Sequence, residues 1–184
     1  MGILNLRLPR FLDVEASSLS INSYPIEIGW SDELGNVSSL LINPSTVNAW
    51  TDWSFESQKV HGISKELCIK EGIAPELVCK YLSDSIRPNE NIYCDGGIFD
   101  EYWVDTLFGA GSEIGFAQFK IEHSDSLMLS LLANVEKNVA KRSALFEELK
   151  QESRQIVVQR HRAAVDVLYL IELYKLCLSI SRKI

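Results

Sequence analysis

The sequence lacks the marks of several protein classes. Its four cysteines, Cys68, Cys79, Cys94 and Cys177, form no C-x-x-C pair, and none stands near a histidine at zinc-ligand spacing. That argues against a zinc module and a disulfide framework, and makes a reduced, cytoplasmic setting the expectation. No apolar run reaches about 18 residues, so no membrane-spanning helix is expected. Residues Met1 to Arg10 contain no long apolar stretch and no small-residue cleavage site, so no signal peptide is expected either. No internal repeat, low-complexity tract or Pro/Gly-rich linker divides the 184 residues. One domain over 1–184 is the expectation, with residues 1–8 as an N-terminal extension.

Positive charge is also scarce. Lysine and arginine number 18 against 25 aspartates and glutamates, a net charge of −7. Binding to long duplexes draws on many Lys and Arg contacts to phosphate, so the net charge argues against a broad basic surface for that purpose. A short or single-stranded nucleic acid needs fewer such contacts. Carboxylates that hold divalent cations count as negative in this sum, yet the ions reverse the local field. With 46% hydrophobic and 23% charged residues, the composition is that of a folded globular chain rather than a disordered one.

The first half reads as strands. Phe11 to Glu15 is a short apolar run carrying two acids. Ile26, Ile28 and Trp30 alternate with Glu27 and Gly29, which predicts a strand. Asp32 to Asn36, with Gly35, predicts a turn, and Val37 to Ile42 the returning strand of a hairpin. Pro75 suits a first helical turn, with Leu77, Val78, Tyr81 and Leu82 as one apolar face. Ile92 to Cys94 predicts a short buried strand. Phe99, Trp103, Val104, Leu107 and Phe108 then recur at helical spacing. Phe116 to Ile121 predicts another strand, and Ser124 with Asp125 the cap of a helix to Leu132. Residues 134–156 read as a charged segment, a solvated helix or a mobile stretch, with contact to substrate or a second subunit as the alternative to a solvated face. Ala163 to Leu178 is strongly helical, with Val167, Leu170, Ile171, Tyr174 and Leu178 facing the core. Strands first and mixed elements afterwards indicate an α/β or α+β domain with a mixed sheet.

Chemistry concentrates in a few acids. Asp13 and Glu15 stand two apart in a strand, so both side chains leave the same face. Adjacent carboxylates repel and resist burial, and a divalent cation between them would remove both objections. The plain alternative is a strand end with two solvated acids. Late in the chain, His161 and Asp166 are five residues apart. Five helical steps leave a net turn of roughly 140°, so the two cannot share a helix face. They converge if His161 precedes the helix and Asp166 lies in its first turns. The alternative is a histidine near a helix start and an acid that complements the helix dipole. Asp100 opens an aromatic helix and by itself is an ordinary first-turn acid. Trp50 and Trp53 read as core or loop packing, with base stacking the alternative. His123 reads as a loop or cap residue, and Glu27 is assigned no role.

Phe11-Leu12-Asp13-Val14-Glu15, Gly97-Ile98-Phe99-Asp100 and His161-x4-Asp166 together resemble the three motifs of the DEDDh 3′–5′ exonucleases. Val60-His61-Gly62-Ile63-Ser64 resembles that family's His-Gly-Ile-Thr segment, and Tyr24 to Trp30 its second strand. The likeness runs from about residue 9 to residue 178. It implies an α/β, ribonuclease H-like fold: a central mixed five-stranded sheet flanked by helices. It also implies two Mg²⁺ or Mn²⁺ ions held by Asp13, Glu15, Asp100 and Asp166, with His161 as general base. The implied reaction is hydrolysis at the 3′ end of single-stranded or short DNA or RNA, releasing nucleoside 5′-monophosphates. Ala16-Ser17-Ser18-Leu19 occupies the place of the family's Thr-Thr-Gly-Leu. Ala16, Ser17, Leu19 and His61 would then meet substrate, Leu19 at a base and His61 at the terminal sugar. Several members of that family are dimers, which makes a homodimer an expectation here.

The sequence departs from the pattern in two places. Cys94-Asp95-Gly96-Gly97 replaces a common His-Asn-Ala, so Asp95 competes with Asp100 for the ligand position. Ser18 replaces a usual glycine. Two other classes stay open beside the exonuclease: a catalytically silent nucleic-acid-binding module, and a metal-dependent phosphoesterase for small nucleotides.

Overall fold

The structure is a computed structural model and describes residues 7–157 and 161–182; residues 1–6 of the expected N-terminal extension lie outside the described residues. Five strands form one mixed sheet: β1 (Arg10–Ala16), β2 (Pro25–Ser31), β3 (Val37–Leu41), β4 (Asn91–Cys94) and β5 (Lys120–His123). The order across the sheet is β3-β2-β1-β4-β5. β1 runs antiparallel to β2 and parallel to β4. The helices are α1 (Phe55–His61), α2 (Lys65–Glu71), α3 (Pro75–Ser85), α4 (Ile98–Gly111), α5 (Ser124–Leu132), α6 (Val139–Ile156) and α7 (Ala163–Ser181). This is the α/β, five-stranded arrangement that the motif resemblance implies.

The sheet separates two apolar layers. Leu12, Val14, Ile26 and Ile28 pack with α3 and α4 through Val78, Leu82, Val104, Leu107 and Phe108. Phe11 lies in the second layer, with α5, α6 and α7, among Met128, Leu132, Phe146, Leu149, Leu170 and Ile171. Each such aliphatic or aromatic side chain contributes about 1.5–3 kcal/mol by leaving water. All four cysteines are free and buried. No helix among the described residues is long and apolar enough to cross a membrane.

The hairpin lies where the alternation places it, and Asp32 closes its turn by accepting the N–H groups of Leu34 and Asn36 at 2.8 and 2.9 Å. Several elements differ in detail from their sequence signals. Alternation in β2 implies one wet face, yet all seven residues are buried. α7 covers the face that carries Glu27 and Gly29. A side chain at Gly29 would sit 2.6 Å from the carbonyl carbon of Ala163, so only glycine lets the helix backbone rest there. In α3 the buried stripe is Val78, Cys79 and Leu82, while Leu77 and Tyr81 turn outward. β5 begins at Lys120, later than the apolar run suggests. His123, rather than Ser124, caps α5: its Nδ1 accepts the N–H of Asp125 at 3.2 Å. The charged segment is an ordered helix, α6, that buries Phe146, Leu149 and Ser153. In α7 the buried set is wider than the expected stripe and includes Tyr169, Leu173 and Cys177.

Candidate active site

β1 places Asp13 and Glu15 on one face, as their spacing requires. Asp100 comes from the first turn of α4, which starts just after β4. Asp166 comes from the first turn of α7. These elements converge. Asp13, Glu15 and Asp166 offer carboxylate oxygens within 4.8 Å of one another, and so do Asp13, Asp95 and Asp100. Asp13 is common to both groups. Asp95 and Asp100 therefore do not exclude each other; the turn between them brings both carboxylates to Asp13. Asp100 is held in place by the N–H of Gly96, which donates to its Oδ2 at 3.0 Å.

The acids carry an electrostatic load. Asp13 is enclosed by protein although one edge still meets solvent. Burial, followed by the charges of Asp100, Glu15, Asp166 and Asp95, holds its pKa well above the usual carboxylate range. Glu15 is pushed up to about 8, by burial first and then by Asp166 and Glu27, with Arg162 pulling the other way. Asp100 rises to about 7 through burial, opposed by a hydrogen bond with the Cys94 thiol. Burial and mutual repulsion thus favour the protonated forms, and positive charge arriving at the cluster would favour the ionised ones. The donor set is all hard carboxylate oxygen, which suits Mg²⁺ or Mn²⁺ and ill suits a soft metal.

His161 sits just before α7 and cannot share a face with Asp166, as the spacing demands. Its backbone is left-handed, with φ +62°. Its N–H donates to Asp166 Oδ2 at 2.8 Å, and its imidazole is exposed. The next residue is clamped. Arg162 donates two hydrogen bonds, at 2.9 and 2.6 Å, to the carboxylate of Glu27 in β2. The N–H of Ala163 donates to the same carboxylate at 3.0 Å.

The loop after β1 carries the other expected contacts. Ser17 is fully buried, and its hydroxyl accepts the N–H of Tyr24 at 3.1 Å, so it shapes the loop from inside. Ser18, in the glycine's place, donates to the carboxylate of Asp52. Ser20 donates to the same carboxylate at 2.9 Å. Tyr102 and Trp103 of α4 hold the loop's far side, through the carbonyl of Ile21 at 2.6 Å and the hydroxyl of Ser23 at 2.8 Å. Leu19 is left 75% exposed. It borders a cleft of about 370 Å³ lined by Ile21, Ile98, Phe99 and Tyr102. It also borders a smaller cavity of about 140 Å³ that contains Glu15, Ala16 and His61.

His61 ends α1 and is buried. Its Nδ1 accepts the N–H of Ile63 at 3.0 Å, which leaves the ring proton on Nε2. Nε2 makes no hydrogen bond of good geometry, although the Ala16 carbonyl is near. Burial holds this imidazole toward its neutral form. Trp50 is core, stacked on Tyr24 with ring centroids 5.1 Å apart. Trp53 is half-buried and donates to Gln58 at 2.9 Å.

Sequence reading passed over Glu27, Arg162 and Asp52. Glu27 was readable as an anomaly, a charge in an apolar strand. Arg162 adjoins a motif residue but has no periodicity of its own, and Asp52 depends on a contact 34 positions away.

The sequence matches no family model and no curated protein. Solved structures do match. An E. coli ExoI–ssDNA complex in a zinc-bound form aligns with a TM-score of 0.64 at 12% identity, over 91% of this chain and 39% of that one. E. coli exonuclease I in complex with a dA16 oligonucleotide aligns at 0.62 and 13% identity, over 94% and 42%. Exonuclease I from Methylocaldum szegediense aligns at 0.52 and 13% identity, over 71% and 30%. The chain thus spans between about three and four tenths of the length of these relatives. Its five-stranded mixed sheet and flanking helices are the ribonuclease H-like fold found in exonuclease I.

Proposed function

We propose that the chain is a metal-dependent 3′–5′ exonuclease acting on single-stranded or short nucleic acid. The observation that carries this reading is the meeting of Asp13, Glu15, Asp95, Asp100 and Asp166 on a sheet of the exonuclease I fold, with raised proton affinity at its centre. Asp13, Glu15 and Asp166 would hold one divalent ion, and Asp13, Asp100 and Asp95 a second, with Mg²⁺ or Mn²⁺ the fitting metals. Bound divalent ions supply the positive charge that an in-line displacement at phosphorus requires.

The protein's own residues do the rest. His161 takes the proton of the attacking water on a ring nitrogen, the role of a general base. Its exposure leaves it free to approach a bound phosphodiester. Leu19 and Phe99 flank the end of the larger cleft, which takes the terminal base on an apolar surface without reading its edge. Ala16 closes the inner end of the smaller cavity, and Ser17 fixes the backbone there. His61 lines the same cavity, at the place taken for the terminal sugar. The bond between phosphorus and the bridging 3′ oxygen breaks, and a nucleoside 5′-monophosphate leaves.

The test is a degradation panel of 5′-labelled single-stranded DNA, single-stranded RNA, duplexes and dinucleotides with Mg²⁺ or Mn²⁺. Stepwise shortening from the 3′ end, abolished by chelator and by Asp13→Ala or Asp166→Ala, is the expected result. Full activity in either variant would overturn the assignment of the acids. Metal-dependent thermal stabilisation with no cleavage of any substrate would instead establish a silent binding module.

A further inference from the structure

We infer that Glu27 is a positioning residue: through Arg162 it fixes the turn that presents His161 and Asp166 to the acidic site. This inference rests on the exonuclease reading of that site.

Glu27 lies mid-strand in β2 and is 2% exposed. A carboxylate so placed is costly unless its lone pairs are met. They are met by one short piece of chain. Oε2 accepts Arg162 Nε and the Ala163 N–H, at 2.9 and 3.0 Å, and Oε1 accepts the second Arg162 nitrogen at 2.6 Å. Two-point contact with a guanidinium fixes orientation as well as distance. The partners are 135 and 136 residues away in sequence, so nothing local brings them together.

Gly29, two residues on, completes the seat. The absence of a side chain there lets the first turn of α7 rest against β2. The helix start is therefore pinned by polar contacts and by close packing on the same strand.

His161 immediately precedes the pinned residues. Its left-handed backbone is uncommon for a side chain branched beyond glycine, and such a conformation persists only where the surroundings over-determine it. Two restraints are visible, the Glu27 clamp on one side and the hydrogen bond from its own N–H to Asp166 on the other. Releasing the clamp would free the turn, move the imidazole, and loosen the carboxylate that shares the bond. Arg162 also lies close enough to Glu15 to lower its proton affinity. Its guanidinium is engaged by both oxygens of Glu27.

The experiment compares Glu27→Gln, Arg162→Lys and the double variant Glu27→Gln/Arg162→Gln with the unaltered chain. Three readouts are taken: kcat and KM, the Mg²⁺ concentration at half-maximal thermal stabilisation, and hydrogen exchange of the His161 amide. For Glu27→Gln, kcat falls about 10- to 100-fold with KM nearly unchanged, since a shift of about 1 Å in a catalytic group costs on that order. The metal midpoint rises, and the His161 amide exchanges at least about tenfold faster. Arg162→Lys keeps the charge without the fork and gives an intermediate loss. The double variant removes the unpaired charge and recovers thermal stability but not kcat. A folded Glu27→Gln protein with unaltered kcat and amide protection would overturn the inference, as would a double variant that regains full kcat. Absence of hydrolysis by the unaltered chain would overturn the exonuclease reading instead, while the amide exchange still decides the positioning.

Discussion

Glu15 of β1 and Glu27 of β2 are register partners on neighbouring strands, yet their circumstances are opposite. Glu27 is almost fully buried and has a guanidinium and a backbone N–H for its two oxygens. Glu15 is less buried, but burial and then the charges of Asp166 and Glu27 outweigh the pull of Arg162, and its pKa is pushed up to about 8. Like charges directly opposite across two strands are destabilising in themselves. A stability role explains only the first. A carboxylate kept for structure has its counter-charge supplied at both oxygens by the fold, whereas at Asp13 and Glu15 burial and neighbouring acids prevail and raise the proton affinity. The difference separates a support from a site more sharply than burial does, since Asp100 is as buried as Glu27.

The comparison can be broken or sharpened by substitution. The largest effect is expected from Asp13→Asn, which removes the acid common to both groups. Metal-dependent release of mononucleotides falls by about 10³-fold or more, in line with loss of a preorganised electrostatic group. The metal-free protein moves the other way: its Tm rises by about 2–4 °C, because a repelled carboxylate is gone. A fall in metal-free Tm would place Asp13 with Glu27 among the compensated acids. His161→Ala comes next, with kcat down about 10²- to 10³-fold and KM little changed. A loss confined to KM would remove His161 from the proton transfer.

Gly29→Ala tests the compensated side. A methyl group there meets the backbone of Ala163 and Ala164 at under 3 Å, and strand and helix cannot both stay in place. A loss of about 1–3 kcal/mol in denaturant unfolding is expected. Unchanged stability would mean that α7 does not rest on β2 as described.

The smallest effect is a pH trend. The raised groups bind more protons in the folded chain than in the unfolded one between about pH 4.5 and pH 8. Stability of the metal-free protein therefore falls as pH rises through that window, the sign opposite to that of salt-bridged carboxylates. Metal binding expels those protons. The Tm gain on adding Mg²⁺ is thus larger near pH 8 than near pH 5.5, and calorimetry in two buffers detects the proton release. A gain independent of pH would contradict the cluster's electrostatics.

Much of this was legible in the residues. The same-face placement of Asp13 and Glu15 follows from strand geometry, and the approach of His161 to Asp166 from helix geometry once the histidine precedes the helix. The order of strands and helices follows from periodicity and from Gly and Pro. What periodicity does not contain is which face a neighbour covers. β2 alternates like a half-wet strand, and only the arrival of α7 from far along the chain buries Glu27. Asp95 looked like a rival to Asp100 because sequence offers one slot where the turn in space offers two. Ser18 looked like a misplaced glycine until Asp52 came across to meet its hydroxyl. In each case the missing information is a long-range contact, which a one-dimensional pattern does not carry.

The four buried cysteines have a consequence for handling the molecule. Burial pushes the thiols of Cys68, Cys79 and Cys177 up to about 11, 12 and 12, and that of Cys94 higher still. Almost no thiolate is present at neutral pH, and thiolate is the form that alkylating reagents and peroxide attack. The native chain is thus chemically quiet toward maleimides while folded. A reporter group could be attached through one cysteine introduced on the surface, with the four native thiols left as they are.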